Sequence, residues 1–379
     1  MIDWRPRAQA LVQELGVQGH LTDARWIEAF ANVPRHVFVP RFYGEDHAVV
    51  DGEVPALRDA WLDAVYQDST LVTQIAPVPG TDLLWSTSSS TAPSLMARML
   101  ELLDIADSDR VLEIGTGTGY NAAVLCHRLT DAQLASIDLD PILIADARAR
   151  LATLGYRPHL VAGDGTLGIA DAAPYDRIIA TCAVPTIPPA WISQLAPDGL
   201  IVADVRGEIA SSLVALRKTD DQTVQGRFRS SPGNFMWLRA KAGNPLRDGG
   251  TYNSTWTIDD TRRRTTDLDP ASLDDPNLRF VLQQLAPDIQ AMYRTGSDGT
   301  DVIHIRADDG CWAEVAFNGD NGRHPVTEAG ARSIWATAEH AARWWLEHGR
   351  PARSRFGMTA TAAGTWRIWL DDPSTSMPS

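Results

Sequence analysis

VLEIGTGTGYN, residues 111–121, joins a short apolar run to a turn with glycine at every second position and then to a helix-like segment. The glycines are Gly115, Gly117 and Gly119. Glycine tolerates positive φ and lets the backbone approach a ligand closely, while the start of the next helix offers unpaired N–H groups. Taken alone, the pattern fits a nucleotide-type ligand and a tight turn equally well. The surrounding sequence has to decide between them.

The residues around this turn alternate between short apolar runs and segments with helical periodicity. The predicted strands are RVLEIG, LASID, PHLVAG, YDRIIATC and GLIVADV, and the predicted helices between them are NAAVLCHRL, ILIADARARLATLG and PPAWISQLA. Such alternation is typical of a parallel, doubly wound sheet with helices on both faces. The predicted fold class is therefore α/β, with the glycine turn at the end of a strand in a Rossmann-like sheet.

Three acidic residues indicate what the turn binds. Asp138 ends the next predicted strand, where its carboxylate can accept both hydroxyls of a ribose; a solvated strand end is the alternative. Glu113, just before the turn, would repel a pyrophosphate but can hold a cationic or amino-bearing ligand such as S-adenosylmethionine. Asp164 lies in GDG, residues 163–165, and is predicted to accept a hydrogen bond from the adenine amino group, unless this is simply a turn.

Length, charge and cysteine use exclude several classes of protein. For 379 residues, two domains are the better expectation. The net charge of −14 repels phosphates, so we predict no nucleic-acid partner. No apolar run is long enough to span a membrane and the N-terminus lacks a secretory pattern, which predicts a cytoplasmic protein with no membrane partner. Three scattered cysteines predict neither disulfides nor a metal site.

Changes in the pattern along the chain predict four regions. Residues 1–80 contain two helices, with Thr22 or Asp23 capping the second, followed by an extended VPRHVFVP segment. Residues 81–245 carry the strand–helix alternation, and the polar residues 246–275 are predicted to be a linker or long loop. Residues 276–379 are predicted to form a smaller α+β domain, with NLRFVLQQLAPDIQAMY and ARSIWATAEHAARWWLEHG as helices and VIHIRA/WAEVAFN and RFGMTATAAGTWRIWL as hairpins.

The order of VPRHVFVP, VLEIGTGTGYNAAVL, GDG and APYDRIIATCAVPTIPPAWISQLAPDGLIV resembles the protein-L-isoaspartate O-methyltransferase family across roughly residues 20 to 210. The resemblance implies a class I methyltransferase sheet of seven strands, S-adenosylmethionine as the methyl donor with S-adenosylhomocysteine as product, and a peptide carboxylate as the acceptor. Together with the turn chemistry, it gives the expected cofactor-binding residues: Thr91, Ser94, Glu113, Gly115, Thr116, Gly117, Thr118, Gly119, Asn121, Asp138, Leu139, Gly163, Asp164 and Gly165.

The stretch SSSTAPS, residues 88–94, stands in register with the T-I-S-x-P signature of this family. Thr91 occupies the position of the family's active-site serine, so it keeps the hydroxyl but adds a methyl group and restricts χ1. A carboxylate acceptor is ionised at neutral pH and needs no general base. We therefore predict that Thr91, with Ser90 and Ser89, positions the acceptor, although a run of hydroxyl residues before Pro93 is also typical of an ordinary helix start.

Isoaspartyl enzymes commonly end soon after the sheet, whereas this chain continues with a tryptophan-rich C-terminal module. The whole layout resembles the aspartate O-methyltransferases that accompany ATP-grasp ligases in graspetide maturation. That resemblance implies a precursor peptide, macrocyclised by the ligase, whose aspartate is methylated and then closes to an aspartimide. In the C-terminal module, the arginines at 343, 350, 353 and 355 are either a dock for an acidic peptide or a solvated helix end.

Three alternatives remain open from the sequence. The nearest is a repair enzyme for isoaspartyl residues with an appended domain. A non-catalytic partner of the ligase is disfavoured by the complete glycine turn, and a nicotinamide-dependent dehydrogenase is disfavoured by Glu113.

Overall fold

The computed structural model of the chain describes residues 3–44, 47–78, 82–239, 261–295, 299–375 and 377. The helices in these ranges are α1 (Arg5–Val17), α2 (Ala24–Asn32), α3 (Arg35–Phe38), α4 (Arg58–Val65), α5 (Pro93–Leu103), α6 (Tyr120–Arg128), α7 (Pro141–Thr153), α8 (Pro189–Gln194), α9 (Pro276–Leu285) and α10 (Ile334–Glu347). The strands are β1 (Arg41–Tyr43), β2 (Val49–Asp51), β3 (Leu71–Pro77), β4 (Leu84–Ser90), β5 (Val111–Ile114), β6 (Leu134–Asp138), β7 (His159–Ala162), β8 (Tyr175–Val184), β9 (Leu195–Arg206), β10 (Ser211–Asp220), β11 (Thr223–Phe228), β12 (Arg262–Thr266), β13 (Ile289–Thr295), β14 (Asp301–Ala307), β15 (Trp312–Ala316), β16 (His324–Ala329), β17 (Phe356–Thr361) and β18 (Trp366–Leu370).

The main sheet has nine strands in the order β18-β17-β11-β10-β9-β8-β5-β6-β7. Strands β9, β8, β5, β6 and β7 pair in parallel, and they are the five strands that the sequence predicts. The Rossmann-like methyltransferase sheet is thereby confirmed. Strand order reverses beside β5, so its carboxyl end opens onto a crevice, which is where parallel α/β sheets bind their ligands.

The N-terminal region packs two helices and a small antiparallel sheet against this core. Asp23 caps α2 by accepting from the backbone N–H of Arg25 at 2.7 Å, as one of the two predicted caps. VPRHVFVP is not extended throughout, because the short helix α3 forms between its two prolines. The small sheet, β2-β1-β3-β4, crosses the boundary expected near residue 80, since β3 and β4 pair as a hairpin.

The C-terminal region contains a five-stranded antiparallel sheet in the order β12-β16-β15-β14-β13. The predicted hairpin of VIHIRA and WAEVAFN is present as β14 and β15. The helix predicted over NLRFVLQQLAPDIQAMY instead ends at Leu285, because Pro287 disfavours helical geometry at Ala286, and β13 follows. In the predicted linker, residues 262–266 form the edge strand β12, while residues 246–260 lie outside the described ranges.

The last hairpin, β17 and β18, does not belong to that smaller sheet. Strand β17 pairs with β11 and so extends the main sheet. Phe356 at its start is fully buried, and its ring centroid lies 5.2 Å from that of Phe280 of α9, with the two rings tilted by 52°. The Phe280 ring centroid in turn lies 4.9 Å from that of Phe228 of β11. The final part of the region 276–379, which the sequence predicts as a smaller separate domain, therefore adds two strands to the main sheet, and residues of both sheets share one apolar core.

Two of the C-terminal arginines considered as a peptide dock bind other parts of this chain. Arg353 is buried and donates to the carbonyl oxygen of Ser211 at 2.8 Å. Arg355 forms an ion pair with Asp371 at 2.6 Å. The structure thus uses these side chains to hold the C-terminal segment on the main sheet.

Candidate active site

A cavity of about 330 Å³ lies at the carboxyl ends of β5, β6 and β8. Three stretches of chain enclose most of it: the end of β4 with the junction to α5, the glycine turn, and residues 233–239. We call residues 233–239 the lining segment. Of the predicted site residues, those that line the cavity are Ser89, Ser90, Thr91, Gly115, Thr116, Gly117, Thr118, Asn121, Asp138, Leu139 and Gly165.

The glycine turn is built as the sequence predicts, with positive φ at Gly115, Gly117 and Gly119. Gly117 faces the cavity, and a Cβ added there would lie 3.7 Å from the hydroxyl oxygen of Ser88. Gly119 instead packs against α7, where an added Cβ would approach the Cβ of Ala147 to 2.9 Å. The turn therefore needs glycine both for its backbone geometry and for its close fit between the cavity and the helix behind it.

Two glycines separate the effect of backbone geometry from the effect of close packing. Gly119 and Gly155 have nearly equal φ values of +88° and +85°, but no atom lies within 4 Å of a Cβ added at Gly155. We expect Gly119→Ala to lower the free energy of unfolding by about 1–3 kcal/mol more than Gly155→Ala, because only Gly119 is overpacked. Chemical denaturation of both variants measures this, and equal losses would show that packing at Gly119 is not tight.

Asp138 ends β6, and its carboxylate holds the glycine turn by a direct hydrogen bond. One of its carboxylate oxygens accepts from the backbone N–H of Gly117 at 2.8 Å, and the other accepts from Asp140 N–H at 3.1 Å. Burial raises the pKa of this carboxyl. Each oxygen has a further lone pair that can accept from a ligand hydroxyl. The predicted ribose contact therefore has a suitably placed carboxylate.

Glu113 lies beneath the turn and does not line the cavity. It is fully buried, and its carboxylate oxygens accept from the Asn121 side-chain amide at 2.7 Å and the Ser136 hydroxyl at 2.5 Å. Ser136 also shares a 2.6 Å hydrogen bond with Thr116. The sequence suggested direct contact between Glu113 and a cationic ligand, whereas the structure places Asn121 and Thr116 at the cavity wall with Glu113 behind them.

Burial raises the pKa of Glu113 to about 7. A glutamate in an unfolded chain titrates near about 4.3, so the folded state binds this proton more tightly. The stability that follows is present below the unfolded pKa and is lost as pH rises through about 7. We expect the wild type to lose up to about 3 kcal/mol more unfolding free energy than Glu113→Gln between about pH 4 and pH 7.

Chemical denaturation across this pH range measures the difference between the two proteins. The matched control is Glu28→Gln, because Glu28 is exposed on α2. If the difference in unfolding free energy between the wild type and Glu113→Gln stays constant with pH, the burial of an ionisable group at this position is contradicted.

Besides Glu113 and Gly119, three further predicted cofactor contacts lie off the cavity wall. Gly163 and Asp164 precede Gly165, which does line it, and Asp164 accepts from the backbone N–H and the hydroxyl of Thr166 at 2.9 and 2.7 Å. Ser94 is buried at the start of α5, and its N–H donates to Asp68 at 2.8 Å. Asp164 therefore caps a turn, and a contact to adenine remains a prediction.

The junction between β4 and α5 brings the three predicted hydroxyls to the cavity. Thr91 is half-buried, and its hydroxyl makes no hydrogen bond with any residue in the described ranges. Ser90 is buried and its hydroxyl accepts from the Arg35 guanidinium at 3.3 Å. Ser89 is half-buried beside the glycine turn. Of the three, the Ser90 hydroxyl is engaged by Arg35, whereas the hydroxyls of Thr91 and Ser89 make no hydrogen bond within the described ranges and are free to bind an acceptor.

Sequence reasoning missed the residues that hold the lining segment. The Ser211 hydroxyl accepts from the N–H groups of Gly233 and Asn234 at 3.1 and 2.9 Å and donates to Asp204 at 2.6 Å. Asp204 also accepts from Phe235 N–H at 3.1 Å, and burial raises the pKa of Asp204. A signal was available, because Asp204 interrupts the apolar run GLIVADV.

The part of the chain that the structure describes contains neither a candidate metal site nor a candidate membrane-spanning helix. No group of three or more His, Cys, Asp or Glu side chains is arranged to hold a metal ion. Over the same residues, every helix is too short or too polar to cross a membrane.

The chain is similar in sequence and in fold to protein-L-isoaspartate O-methyltransferases. The family model for protein-L-isoaspartate(D-aspartate) O-methyltransferase matches residues 6–232. A protein-L-isoaspartate O-methyltransferase of Roseiflexus castenholzii is 35% identical over 242 residues, which are 62% of this chain and 96% of that protein. One of Koribacter versatilis is 37% identical over 213 residues, 56% of this chain and 82% of that protein. A solved protein-L-isoaspartate O-methyltransferase superposes with a TM-score of 0.55 at 20% identity, covering 96% of this chain and 100% of its own.

Proposed function

Because the chain belongs to the protein-L-isoaspartate(D-aspartate) O-methyltransferase family and is an S-adenosylmethionine-dependent carboxyl O-methyltransferase, we propose that its acceptor is the α-carboxylate of an L-isoaspartyl residue. The relatives that share its methyltransferase region carry the isoaspartate name. The observation that supports this acceptor most directly is that Thr91 lines the cavity with a hydroxyl that makes no hydrogen bond within the described ranges. Its position in the sequence resembles that of the family's active-site serine.

The residues at the cavity fit S-adenosylmethionine by their chemistry. Asp138 can accept from ribose hydroxyls, and the carbonyl oxygen of the Asn121 side chain is buried with no partner among the described residues, so it can accept from an amino group. Gly117 leaves space where a side chain would project into the cavity. When bound, the cofactor supplies an electrophilic methyl group on a sulfonium centre.

The chain itself has to place the acceptor and exclude water. A peptide carboxylate has a pKa near about 4, so it is ionised at neutral pH and no general base is needed. Correct orientation of the reacting groups lowers the activation barrier by on the order of 7–11 kcal/mol in favourable cases. Thr91 can hold one carboxylate oxygen by a hydrogen bond and leave the other free. The role of Thr91 is to position the acceptor, because a strong hydrogen bond to the attacking oxygen would lower the nucleophilicity of that oxygen.

A second acceptor is the side-chain carboxylate of an aspartate in a ligase-cyclised precursor peptide. The departure from serine at Thr91 favours it, because the added methyl group narrows the space for the acceptor. The long C-terminal module does not, since a solved isoaspartate methyltransferase aligns with nearly the whole chain. The comparisons thus support the isoaspartyl acceptor better than the peptide suggested by the sequence.

An acceptor panel separates the two proposals. The purified protein and S-adenosylmethionine are incubated with an isoaspartyl peptide, the same peptide with ordinary aspartate, and a macrocyclic aspartyl peptide, and methyl gain or water loss is followed by mass spectrometry. We expect turnover of the isoaspartyl peptide and none of its linear aspartyl counterpart. Turnover confined to the macrocyclic peptide would replace the first proposal with the second.

A further inference from the structure

Arg35 is a fully buried guanidinium directly behind the junction between β4 and α5. It donates to the Ser90 hydroxyl at 3.3 Å and to the Thr91 carbonyl oxygen at 3.1 Å. Further donations reach the carbonyl oxygens of residues 65, 67 and 69, at 2.8, 3.1 and 3.1 Å. One side chain therefore joins the cavity wall to the end of α4 and the turn that follows it.

All of these acceptors are neutral, so the charge of Arg35 is not cancelled by a direct partner. Its guanidinium forms no ion pair with a carboxylate of the described ranges; the charged or titratable groups that influence it are Asp68, Tyr66 and Tyr120. Burial lowers the pKa of Arg35 to about 10, which leaves it cationic at neutral pH. An unpaired buried charge costs several kcal/mol. The guanidinium N–H donors satisfy the surrounding carbonyl oxygens, and Asp68 and the Tyr120 ring, whose centroid lies 5.8 Å from the guanidinium carbon, offset part of this cost.

The guanidinium of Arg35 lies directly behind the part of the cavity wall where the acceptor carboxylate is proposed to bind. Ser90 and Thr91, both bound to Arg35, line the cavity, and the Thr91 hydroxyl is free to bind an acceptor. Arg35 itself lies behind the wall; the cation that lines the cavity among the described residues is Arg239, which donates to the carbonyl oxygen of Thr87 in β4 at 3.0 Å, further from the junction. In a low-dielectric interior, a cation attracts a nearby carboxylate more strongly than it does in water.

We propose that Arg35 is a positioning residue whose charge, acting through the Ser90–Thr91 junction, makes the site prefer an anionic acceptor over a neutral one. This inference rests on the proposed function. Methylation turns the acceptor carboxylate into a neutral ester, so the same charge favours binding of the substrate and release of the product. The charge then contributes to acceptor affinity more than to the rate of the chemical step.

The test compares binding of a carboxylate peptide with binding of the same peptide carrying a carboxamide in its place. The peptide used is whichever one the wild type methylates, so failure of the isoaspartyl proposal does not affect this result. We expect the wild type to prefer the carboxylate by on the order of 10-fold or more, and Arg35→Gln to lose most of that preference. Arg35→Lys keeps the charge and should retain more of it.

A matched control is Arg128→Gln, because the Arg128 side chain is only 3% exposed but pairs with Asp107 at 2.8 Å, and Arg128 does not line the cavity. Its carboxylate preference should match the wild type. In Arg35→Gln, the acceptor KM should rise while the Kd for S-adenosylmethionine stays within about 3-fold. An unchanged preference in Arg35→Gln would overturn the proposal. If that variant does not fold, a wild type that binds both peptides equally would overturn it as well.

Discussion

Replacing Asp138 with asparagine is expected to weaken binding of S-adenosylmethionine by about 100-fold, which corresponds to about 2.7 kcal/mol. Hydrogen bonds to a charged group contribute about 1.5–3 kcal/mol each, and the amide retains one acceptor oxygen instead of two. The substitution also disturbs the contact that fixes the turn, since Asp138 accepts from Gly117 N–H. Isothermal titration calorimetry measures the change directly.

The control for this prediction is Asp146→Asn, which removes a carboxylate of α7 whose ion-pair partner is Arg150, away from the cavity. Its affinity for S-adenosylmethionine should equal that of the wild type. Wild-type affinity in Asp138→Asn would mean that the carboxylate at the end of β6 does not bind the ribose, and the cofactor would have to be placed elsewhere.

Replacing Thr91 with valine is expected to lower kcat/KM for the acceptor by about 100-fold, while the affinity for S-adenosylmethionine stays within about 3-fold. Valine has nearly the same shape but no hydroxyl, so the variant removes the acceptor's hydrogen bond without opening a cavity. Loss of correct placement by about 1 Å can reduce turnover 100-fold. Steady-state kinetics with the methylated peptide, together with calorimetry, measures both quantities.

Thr91→Ser is the matched variant, because it restores the residue found in the family signature. It should keep kcat/KM within about 3-fold of the wild type for an isoaspartyl peptide. Full activity in Thr91→Val would contradict the positioning role and would remove Thr91 from the site.

Local sequence patterns predicted the part of the site that depends on neighbouring residues. The glycine turn, Asp138 at the end of its strand and Thr91 before α5 all follow from strand–turn–helix chemistry within a few positions. The conformation of the glycine turn follows from the φ preference of glycine. The positions of Asp138 and Thr91 follow from where a strand ends and where a helix starts. For the same reason, the parallel strands of the main sheet could be recognised from periodicity alone.

Features that depend on contacts far along the chain could not be predicted. Arg35 meets Ser90 and Thr91 across more than fifty positions, and nothing in VPRHVFVP shows which atoms its guanidinium reaches. Strand β17 joins β11 because Phe356 fits against Phe280, whereas its sequence is equally typical of a hairpin in the smaller sheet. The sequence predicts that Glu113 touches the ligand, because it lies just before the glycine turn. The residues next to it in the chain do not show that Asn121 and Ser136 enclose its carboxylate in the fold.

The position of the transferred methyl group tests the central claim most directly. A synthetic isoaspartyl peptide that also contains an ordinary aspartate is incubated with the wild-type protein and labelled S-adenosylmethionine, and tandem mass spectrometry then locates the label. The account predicts a base-labile methyl ester on the isoaspartyl α-carboxylate and none on the aspartate. A label on the ordinary aspartate, on a nitrogen or sulfur atom, or on no atom of the peptide would contradict it.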